Sequence, residues 1–373
     1  NTGITGRIDG GGGTDTVRAR FSADATLSRA IVLPTNFEAF ALVADSGVTV
    51  TLQDGFTAPG TLSFSGDTLV NETRLSGRGA VLNVGSATRF RNEGDIAGEA
   101  AANQYTLVVS GGQFTNNGTI SSQGDAVNSL VYAFSNTGTI TAAGTAVNAF
   151  NMGAFENSGT IRSTAGTGLI LWGSSTNLNY AAANTGTITS DRTGVMLGAY
   201  GTLYNKAGGT ISGGTAAIAS PTGLGSRLFG ARVINEGTIN GDVSIVSNSP
   251  YPDSYNTNIF YALSGGVLNG NLTLGMGDTL VADITNTGTS QFAGINGTVT
   301  ASGSNVRYMV SQDASATVDG LVGFSGLGYD LYDGATLTLG GSTIQTAPVV
   351  FAGYGKAVLD VDFNVVGQPA IMR

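Results

Sequence analysis

Cysteine and histidine are both absent from this sequence of 373 residues. Their absence excludes disulfide bonds, zinc sites with His or Cys ligands, and nucleophilic catalysis by a Ser-His-Asp or Cys-His set. The longest apolar runs also fall short of the roughly 20 residues that a membrane-spanning helix requires. We therefore predict no zinc site and no catalytic residues of these classes.

Charged residues and proline are scarce as well, at 11% and 7 residues, whereas glycine occurs 58 times. Disorder requires high charge and low hydrophobicity, and this chain, with 41% apolar residues, has the opposite balance. The net charge of −9 disfavours binding to nucleic acids or anionic membranes, and the basic residues are scattered singly. The composition predicts a folded protein that has no nucleic-acid partner and requires no cofactor.

A repeated motif, Phe-x-Asn-x-Gly-Thr-Ile, is the strongest signal in the sequence. It occurs at 114–120, 134–140 and 155–161, and looser copies surround four other asparagines. The successive steps between the asparagines are 24, 20, 21, 27, 21 and 30 residues. A period near 20 residues, built from short β-like runs and Gly turns, is typical of a β-solenoid. The repeated asparagines are Asn92, Asn116, Asn136, Asn157, Asn184, Asn205 and Asn235.

One coil shows how the repeat folds. Strand side chains alternate between faces, so Ile140 points inward while Thr139 and Thr141 point outward. Two further short strands, near Val147 and Phe155, complete the coil. The predicted fold is all-β: a β-solenoid with three short strands per coil of about 20 residues. Stacking buries Ile120, Ile140, Ile161, Ile188, Ile211 and Ile239 in one column and Phe90, Phe114, Phe134 and Phe155 in another.

The asparagines are interpreted as structural. Asn tolerates the left-handed backbone of a tight turn, and its amide can bond to the coil above or below. We therefore expect a ladder of asparagines along the solenoid, with no role in catalysis.

The regular coils occupy only the middle of the chain. We divide it into an N-terminal solenoid segment with irregular turns (1–85), the regular coils (86–245) and a C-terminal solenoid segment (246–373) that begins with a Pro/Tyr/Asn loop. A short helix is predicted near 35–41. Both flanks carry Gly-rich turns followed by Asp-Thr, at 10–16 and 275–279.

Taken together, the Asn-x-Gly-Thr-Ile coils, the Gly-x-Gly-Asp-Thr turn, and Asn36-Phe-Glu38 followed by Val48-Thr-Val-Thr-Leu52 resemble passenger domains of bacterial autotransporters. The resemblance implies a right-handed parallel β-helix at the bacterial cell surface, exported by an outer-membrane translocator in the precursor. The sequence has no initiator Met, so we expect a processed or excised piece.

Three alternative functional sites remain open: a catalytic carboxylate pair, a calcium site and an ice-binding surface. Asp360 and Asp362 are the one pair of carboxylates at alternate strand positions, as a polysaccharide-cleaving enzyme would need. Residues 10–18 match a calcium-binding nonapeptide, for which a tight turn is the simpler interpretation. Outward Thr-x-Thr pairs indicate an ice-binding surface, although Arg162 and Asn240 interrupt the array.

Three coils are lengthened at the same place, between the second and third strands. In a solenoid, insertions at one turn emerge on one edge. We predict a loop-decorated edge that holds the only tryptophan and acts as a contact surface. Its candidate interaction residues are Trp172, Tyr180, Arg227, Phe229, Tyr251 and Tyr255.

The predicted function is that of an extracellular structural and adhesive protein, which presents loops for attachment to a host surface, an abiotic surface or a glycan. Open solenoid ends expose unpaired strand edges, so self-association by axial stacking into fibres is a further expectation. The first alternative is a β-helix that binds or cleaves polysaccharides, and the second is an ice-binding solenoid.

Overall fold

The structure is a computed structural model. It describes residues 9–30, 32, 35–58, 60–99, 101, 103–150, 153–173, 182–221, 230–247, 257–284, 292, 294–312, 314–317, 324–340, 343–345, 349–360, 363–365 and 371–372. The chain divides into two compact units, Asn1–Ile170 and Leu171–Arg373. Each unit is a parallel β-solenoid, so the predicted fold class is confirmed. Within the described ranges, no helix has the length and apolar character needed to span a bilayer.

The first unit is built from short strands separated by Gly- and Asn-containing turns. Its strands are β1 (Thr16–Phe21), β2 (Ala25–Leu27), β3 (Ala39–Ala44), β4 (Thr49–Leu52), β5 (Leu62–Ser65), β6 (Thr68–Asn71), β7 (Arg74–Gly77), β8 (Leu82–Asn92), β9 (Asp95–Gly98), β10 (Tyr105–Asn116), β11 (Thr119–Ser122), β12 (Asp125–Asn136), β13 (Thr139–Ala142), β14 (Val147–Phe150), β15 (Ala154–Asn157) and β16 (Thr160–Ser163). Strand β17 (Thr167–Trp172) contains the boundary between the units.

Pairing in the first unit is parallel and joins equivalent strands of successive coils. One row runs through β7, β9, β11, β13 and β16, and another connects β3, β5, β8, β10 and β12. The coil from β13 to β15 has the three strands that the sequence predicts. In the coil before it, the second and third strands form the single strand β12, so the prediction of three separate strands is wrong there.

Two columns of stacked identical side chains lie in the core of the first unit. Ile120, Ile140 and Ile161 are in register and fully buried, as predicted. The predicted aromatic column also forms, with ring centroids 5.1, 5.1 and 4.8 Å apart along Phe90, Phe114, Phe134 and Phe155. Burial of these columns is the main source of stability for coils that are too short to fold alone.

The helix predicted near 35–41 is wrong. Asn36 has a left-handed backbone, with φ of 59°, and β3 begins at Ala39 and pairs with β1. Alternation along β3 buries Phe40 and Leu42, and this burial favours a strand.

The second unit continues the same architecture with longer connections. Its strands are β18 (Ala182–Asn184), β19 (Thr187–Ser190), β20 (Thr193–Leu197), β21 (Thr202–Asn205), β22 (Thr210–Gly213), β23 (Ala216–Ala219), β24 (Arg232–Asn235), β25 (Thr238–Asn240), β26 (Val243–Ser244), β27 (Ile259–Ala262), β28 (Val267–Asn269), β29 (Leu272–Leu274), β30 (Thr279–Asp283), β31 (Val299–Ala301), β32 (Ser304–Val310), β33 (Ala314–Thr317), β34 (Phe324–Leu331), β35 (Thr336–Gly340), β36 (Thr343–Gln345), β37 (Val349–Gly353), β38 (Lys356–Asp360), β39 (Phe363–Val365) and β40 (Ile371–Met372).

Three rows of parallel strands define the coils of the second unit. They run through β19, β22, β25 and β28; through β20, β23, β26, β29 and β31; and through β21, β24, β27, β30, β32, β34 and β37. Ile188, Ile211 and Ile239 stack in the first of these rows and are fully buried. The second and third sequence insertions, between β23 and β24 and between β26 and β27, each connect a strand of the second row to a strand of the third row.

Candidate functional site

The predicted contact edge is only partly visible. Of its candidate residues, Trp172 is described; it ends β17, is half-buried, and lies against Gly198. The other candidates, Tyr180, Arg227, Phe229, Tyr251 and Tyr255, lie outside the described residues.

The repeated asparagines form two hydrogen-bonded ladders, one in each unit. In the first unit each Nδ2 donates to the Oδ1 of the next asparagine at 2.7 Å, along Asn71, Asn92, Asn116, Asn136 and Asn157. In the second unit the same bond measures 2.9 Å along Asn184, Asn205 and Asn235. All eight side chains are buried. A buried amide requires partners for its donor and acceptor, and the ladder supplies both.

The turn geometry behind the ladder differs from the expectation. None of the ladder asparagines has a left-handed backbone, so that part of the explanation is wrong. In the coils that have glycine two residues later, the reason is a close approach between coils. A Cβ on Gly138 would collide with the carbonyl oxygen of Gly118. The carbonyl of Asn116 accepts the N–H groups of both Thr137 and Gly138, at 2.9 and 3.1 Å, and thereby fixes the turn.

A polar groove of about 510 Å³ lies on the outer face of β7, β9 and β11 in the first unit. Its floor is the register row Ser76, Ala97 and Ser121, whose small side chains leave the space open. Leu75 and Ile96 alternate with this row and are buried on the other face. The strand period of two therefore separates the core from the groove.

Charged and amide side chains form the walls of the groove. Arg74 stands on one side, and Arg78, Glu99 and Gln123 stand on the other. Arg78 Nε lies 3.6 Å from Glu99 Oε2, and these side chains are 94% and 60% exposed. This separation exceeds a hydrogen bond, and exposed pairs contribute little, so both groups remain available to a ligand.

The groove is chemically suited to a ligand that is rich in hydroxyl or acidic groups. Guanidinium groups donate several hydrogen bonds in a fixed plane, and the serines and Gln123 supply both donors and acceptors. Glu99 is the one carboxylate among the described lining residues. Glycoside hydrolysis ordinarily uses two carboxylates that flank the bond to be broken.

Sequence reasoning missed this groove because the regular coils were taken to begin at residue 86. The signal was nevertheless present: Asn71 precedes Asn92 by 21 residues, and Leu75 precedes Ile96 by the same step. The motif is disguised there, because Thr73 replaces its glycine and Leu75 its isoleucine.

Two alternative sites were predicted from the sequence: the Asp360/Asp362 pair and the calcium-like nonapeptide. Asp362 and the side chain of Asp360 lie outside the described residues. In the calcium-like nonapeptide, Glu38 Oε2 accepts the N–H of Asp15 at 2.8 Å, and Asp9 Oδ1 accepts that of Gly11 at 3.0 Å. These carboxylates cap a turn before β1. In the described part of the chain, no three acidic side chains are placed to hold a metal ion.

The outward threonines line up over only a few coils. Thr119, Thr139 and Thr160 are in register in the first unit, but the neighbouring row runs from Ser121 through Thr141 to Arg162. The long arginine side chain interrupts any flat array of hydroxyls on this face.

Comparison with known families identifies the fold family. Residues 41–246, more than half of the chain, match the family described as BigA third pectate lyase-like domain. The chain belongs to this family. Its domains are β-helices of bacterial surface proteins, in agreement with the parallel solenoid described above. The comparison with curated proteins gave no match, and the comparison with solved structures gave none either.

Proposed function

We propose that this protein is an extracellular attachment module of a bacterial surface, which binds a polysaccharide in the β7–β9–β11 groove without cleaving it. The observation that carries the proposal is the groove itself, with its small floor and its walls of Arg74, Arg78, Glu99 and Gln123. A family of pectate lyase-like domains in surface proteins supports the same class of ligand.

The contact chemistry explains why binding is the better proposal than catalysis. A sugar chain offers hydroxyl groups along its length, and the groove offers donors and acceptors along three coils. Successive coils are spaced by about 4.8 Å. Arg74 and Arg78 add charge-assisted hydrogen bonds, which are stronger than neutral ones. The overall charge of −9 would repel acidic chains at long range, so these two arginines would decide whether such chains are accepted.

A panel of immobilised neutral and acidic polysaccharides tests the proposal. Arg74→Ala or Arg78→Ala should weaken binding roughly ten- to hundred-fold, since a hydrogen bond to a charged group contributes about 1.5–3 kcal/mol. Arg89→Ala is the matched control, because Arg89 is exposed on β8 of the same coil but does not line the groove.

Two results would contradict the proposal. One is binding that is equally sensitive to Arg89→Ala and Arg74→Ala, or to neither. The other is the appearance of new reducing ends or unsaturated products from any bound polysaccharide, which would make the protein an enzyme.

We also infer that the chain is an autotransporter passenger that reaches the surface through an outer-membrane translocator. Its parallel solenoid and lack of cysteine support this route. Reading the gene beyond the codon for Arg373 and digesting intact cells with a protease would test it. A protein that resists protease on intact cells, but not in lysates, would contradict the surface location.

A further inference from the structure

Two hydrogen-bonded turns that carry Trp172 and Tyr200 lie at one corner of the second unit, which we call the aromatic corner: Trp172, Gly173, Gly198 and Tyr200. Trp172 ends β17, and Gly198 directly follows β20. The two turns are bonded to each other, because Gly198 N–H donates to the carbonyl of Leu171 at 2.9 Å and Gly173 N–H donates to that of Ala199 at 3.2 Å. The backbone therefore holds both aromatic residues in fixed positions.

The indole of Trp172 lies across Gly198. A Cβ on Gly198 would be 2.9 Å from Cζ3 and 3.0 Å from Cδ2 of the ring, and would collide with Cε3. The φ of Gly198 is not in the left-handed region, so the turn itself does not require glycine. Glycine is required at position 198 because the indole of Trp172 packs directly against it.

Tyr200 supplies a second, independent observation. Its backbone is left-handed, with φ of 55°, and the side chain is half-buried. For a bulky residue this conformation is a true outlier, whereas glycine adopts it freely. Such outliers cluster at functional sites. This strained position is the second observation that points to a functional role for Tyr200.

We propose that the aromatic corner binds a ring of a neutral saccharide. Residues 171–173 and 197–201 contain no charged side chain, so these two stretches themselves favour a neutral ligand. Trp and Tyr each present an apolar body with a polar tip, which matches a sugar ring that has an apolar face and hydroxyl edges.

An aromatic ring also packs directly against a glycine in the first unit. A Cβ on Gly153 would be 2.7–2.9 Å from three ring atoms of Tyr132, and Tyr132 is 62% exposed. Tyr132 therefore serves as a comparison for the aromatic corner. The ligand class of the proposal rests on the proposed function, whereas its location rests on the corner alone.

Trp172 is the only tryptophan of the sequence, so its fluorescence reports on the corner directly. The full chain would be titrated with a β-1,4-linked glucose hexamer, an N-acetylglucosamine hexamer and, as the acidic comparison, a galacturonate hexamer. We expect a saturable change in emission with at least one neutral oligosaccharide. Arg74→Ala should leave this change intact, which separates the corner from the groove.

The decisive variant is Tyr200→Gly, which relieves the backbone and removes the ring. It should raise the midpoint of thermal unfolding and weaken the fluorescence-detected binding at least tenfold, while Tyr132→Ala leaves the binding unchanged. The proposal is overturned if Tyr200→Gly binds like the parent protein, if only the acidic hexamer changes the emission, or if no hexamer does so while polysaccharide binding through the groove is intact.

Discussion

One register position in the second unit is filled in two chemically different ways. It carries Asn184, Asn205 and Asn235 in the early coils and Tyr308, Tyr329 and Phe351 in the late ones, and Ala262 and Ala282 lie between them. The backbone pairing continues in parallel through the change. The comparison shows that the column requires stacking of like on like and does not require one kind of side chain.

The asparagine ladder and the column of stacked aromatic rings, here called the aromatic ladder, constrain the fold in different ways. An asparagine amide has a donor and an acceptor, so each rung is satisfied only when the next coil is in the correct register. Stacked rings bury more apolar area but tolerate small shifts. The rings of Tyr308 and Tyr329 lie 5.4 Å apart, and those of Tyr329 and Phe351 lie 5.2 Å apart. The polar ladder sets register, and the aromatic ladder adds bulk to the core.

Where the asparagines end, other buried polar groups provide anchoring. Asp278 is fully buried and accepts backbone N–H groups from Ser247 at 2.9 Å, Gly275 at 2.8 Å and Asn258 at 2.8 Å. The Nδ2 of Asn258 donates to the carbonyl of Ile245 at 2.8 Å. One carboxylate therefore joins the two ends of the third insertion, since Ser247 and Asn258 flank it in the sequence.

The largest effect is expected from breaking the polar ladder in its middle. Asn136→Ala removes the acceptor of Asn116 Nδ2 and the donor to Asn157 Oδ1 in a fully buried position. Leaving such groups unpaired should lower the free energy of unfolding by roughly 2–4 kcal/mol. Denaturant unfolding measures this change. Asn117→Ala, at the exposed neighbouring position, should stay within about 0.5 kcal/mol of the parent, and equal losses for both variants would refute a ladder role.

A smaller effect of opposite sign is expected from the aromatic ladder. The hydroxyl of Tyr329 is buried and has no hydrogen-bond partner, and burial raises the pKa of this phenol. Tyr329→Phe removes the unsatisfied hydroxyl while keeping the ring, so the free energy of unfolding should rise by about 1 kcal/mol. Tyr332→Phe, at a side chain that is 52% exposed, should change nothing measurable. A loss of stability in Tyr329→Phe would reveal a partner for the hydroxyl.

The smallest effect concerns the pH dependence of the Asp278 anchor. Burial raises the pKa of Asp278, although the backbone N–H groups of Asn258, Ser247 and Gly275 and the Asn258 side chain oppose the shift. A raised carboxyl pKa means that the folded state binds the proton more tightly than the unfolded state. The contribution of Asp278 to the free energy of unfolding is therefore largest below the unfolded pKa, about 3.9, and it declines as pH rises through the folded pKa.

This dependence is measured as the difference in unfolding free energy between the parent protein and Asp278→Asn. The free energy of unfolding of the parent minus that of Asp278→Asn should decrease as pH rises from about 4, and it should become constant above the folded pKa of Asp278. Asp242→Asn, at an exposed position, is the control for general charge effects. A difference that grows with pH would show that the three N–H groups outweigh the cost of burying the charge.

The repeats predicted the architecture because solenoid coils repeat their chemistry at each register position. Spacing alone predicts the two buried columns, which contain Ile120, Ile140 and Ile161, and Phe114, Phe134 and Phe155. The sequence did not reveal where the ladder begins, because Asn71 stands in a coil whose motif had lost its glycine. It also suggested a helix at 35–41, where alternation along β3 and pairing with β1 favour a strand.

The sequence by itself determined the period, the inward and outward faces and the absence of His and Cys chemistry, since these follow from residue identity and the strand period of two. Only the tertiary structure decided the groove, because Arg74, Glu99 and Gln123 belong to three coils that come together by stacking. The aromatic corner has the same origin: Trp172 and Gly198 are 26 residues apart in the sequence, and only backbone pairing between coils brings them into contact.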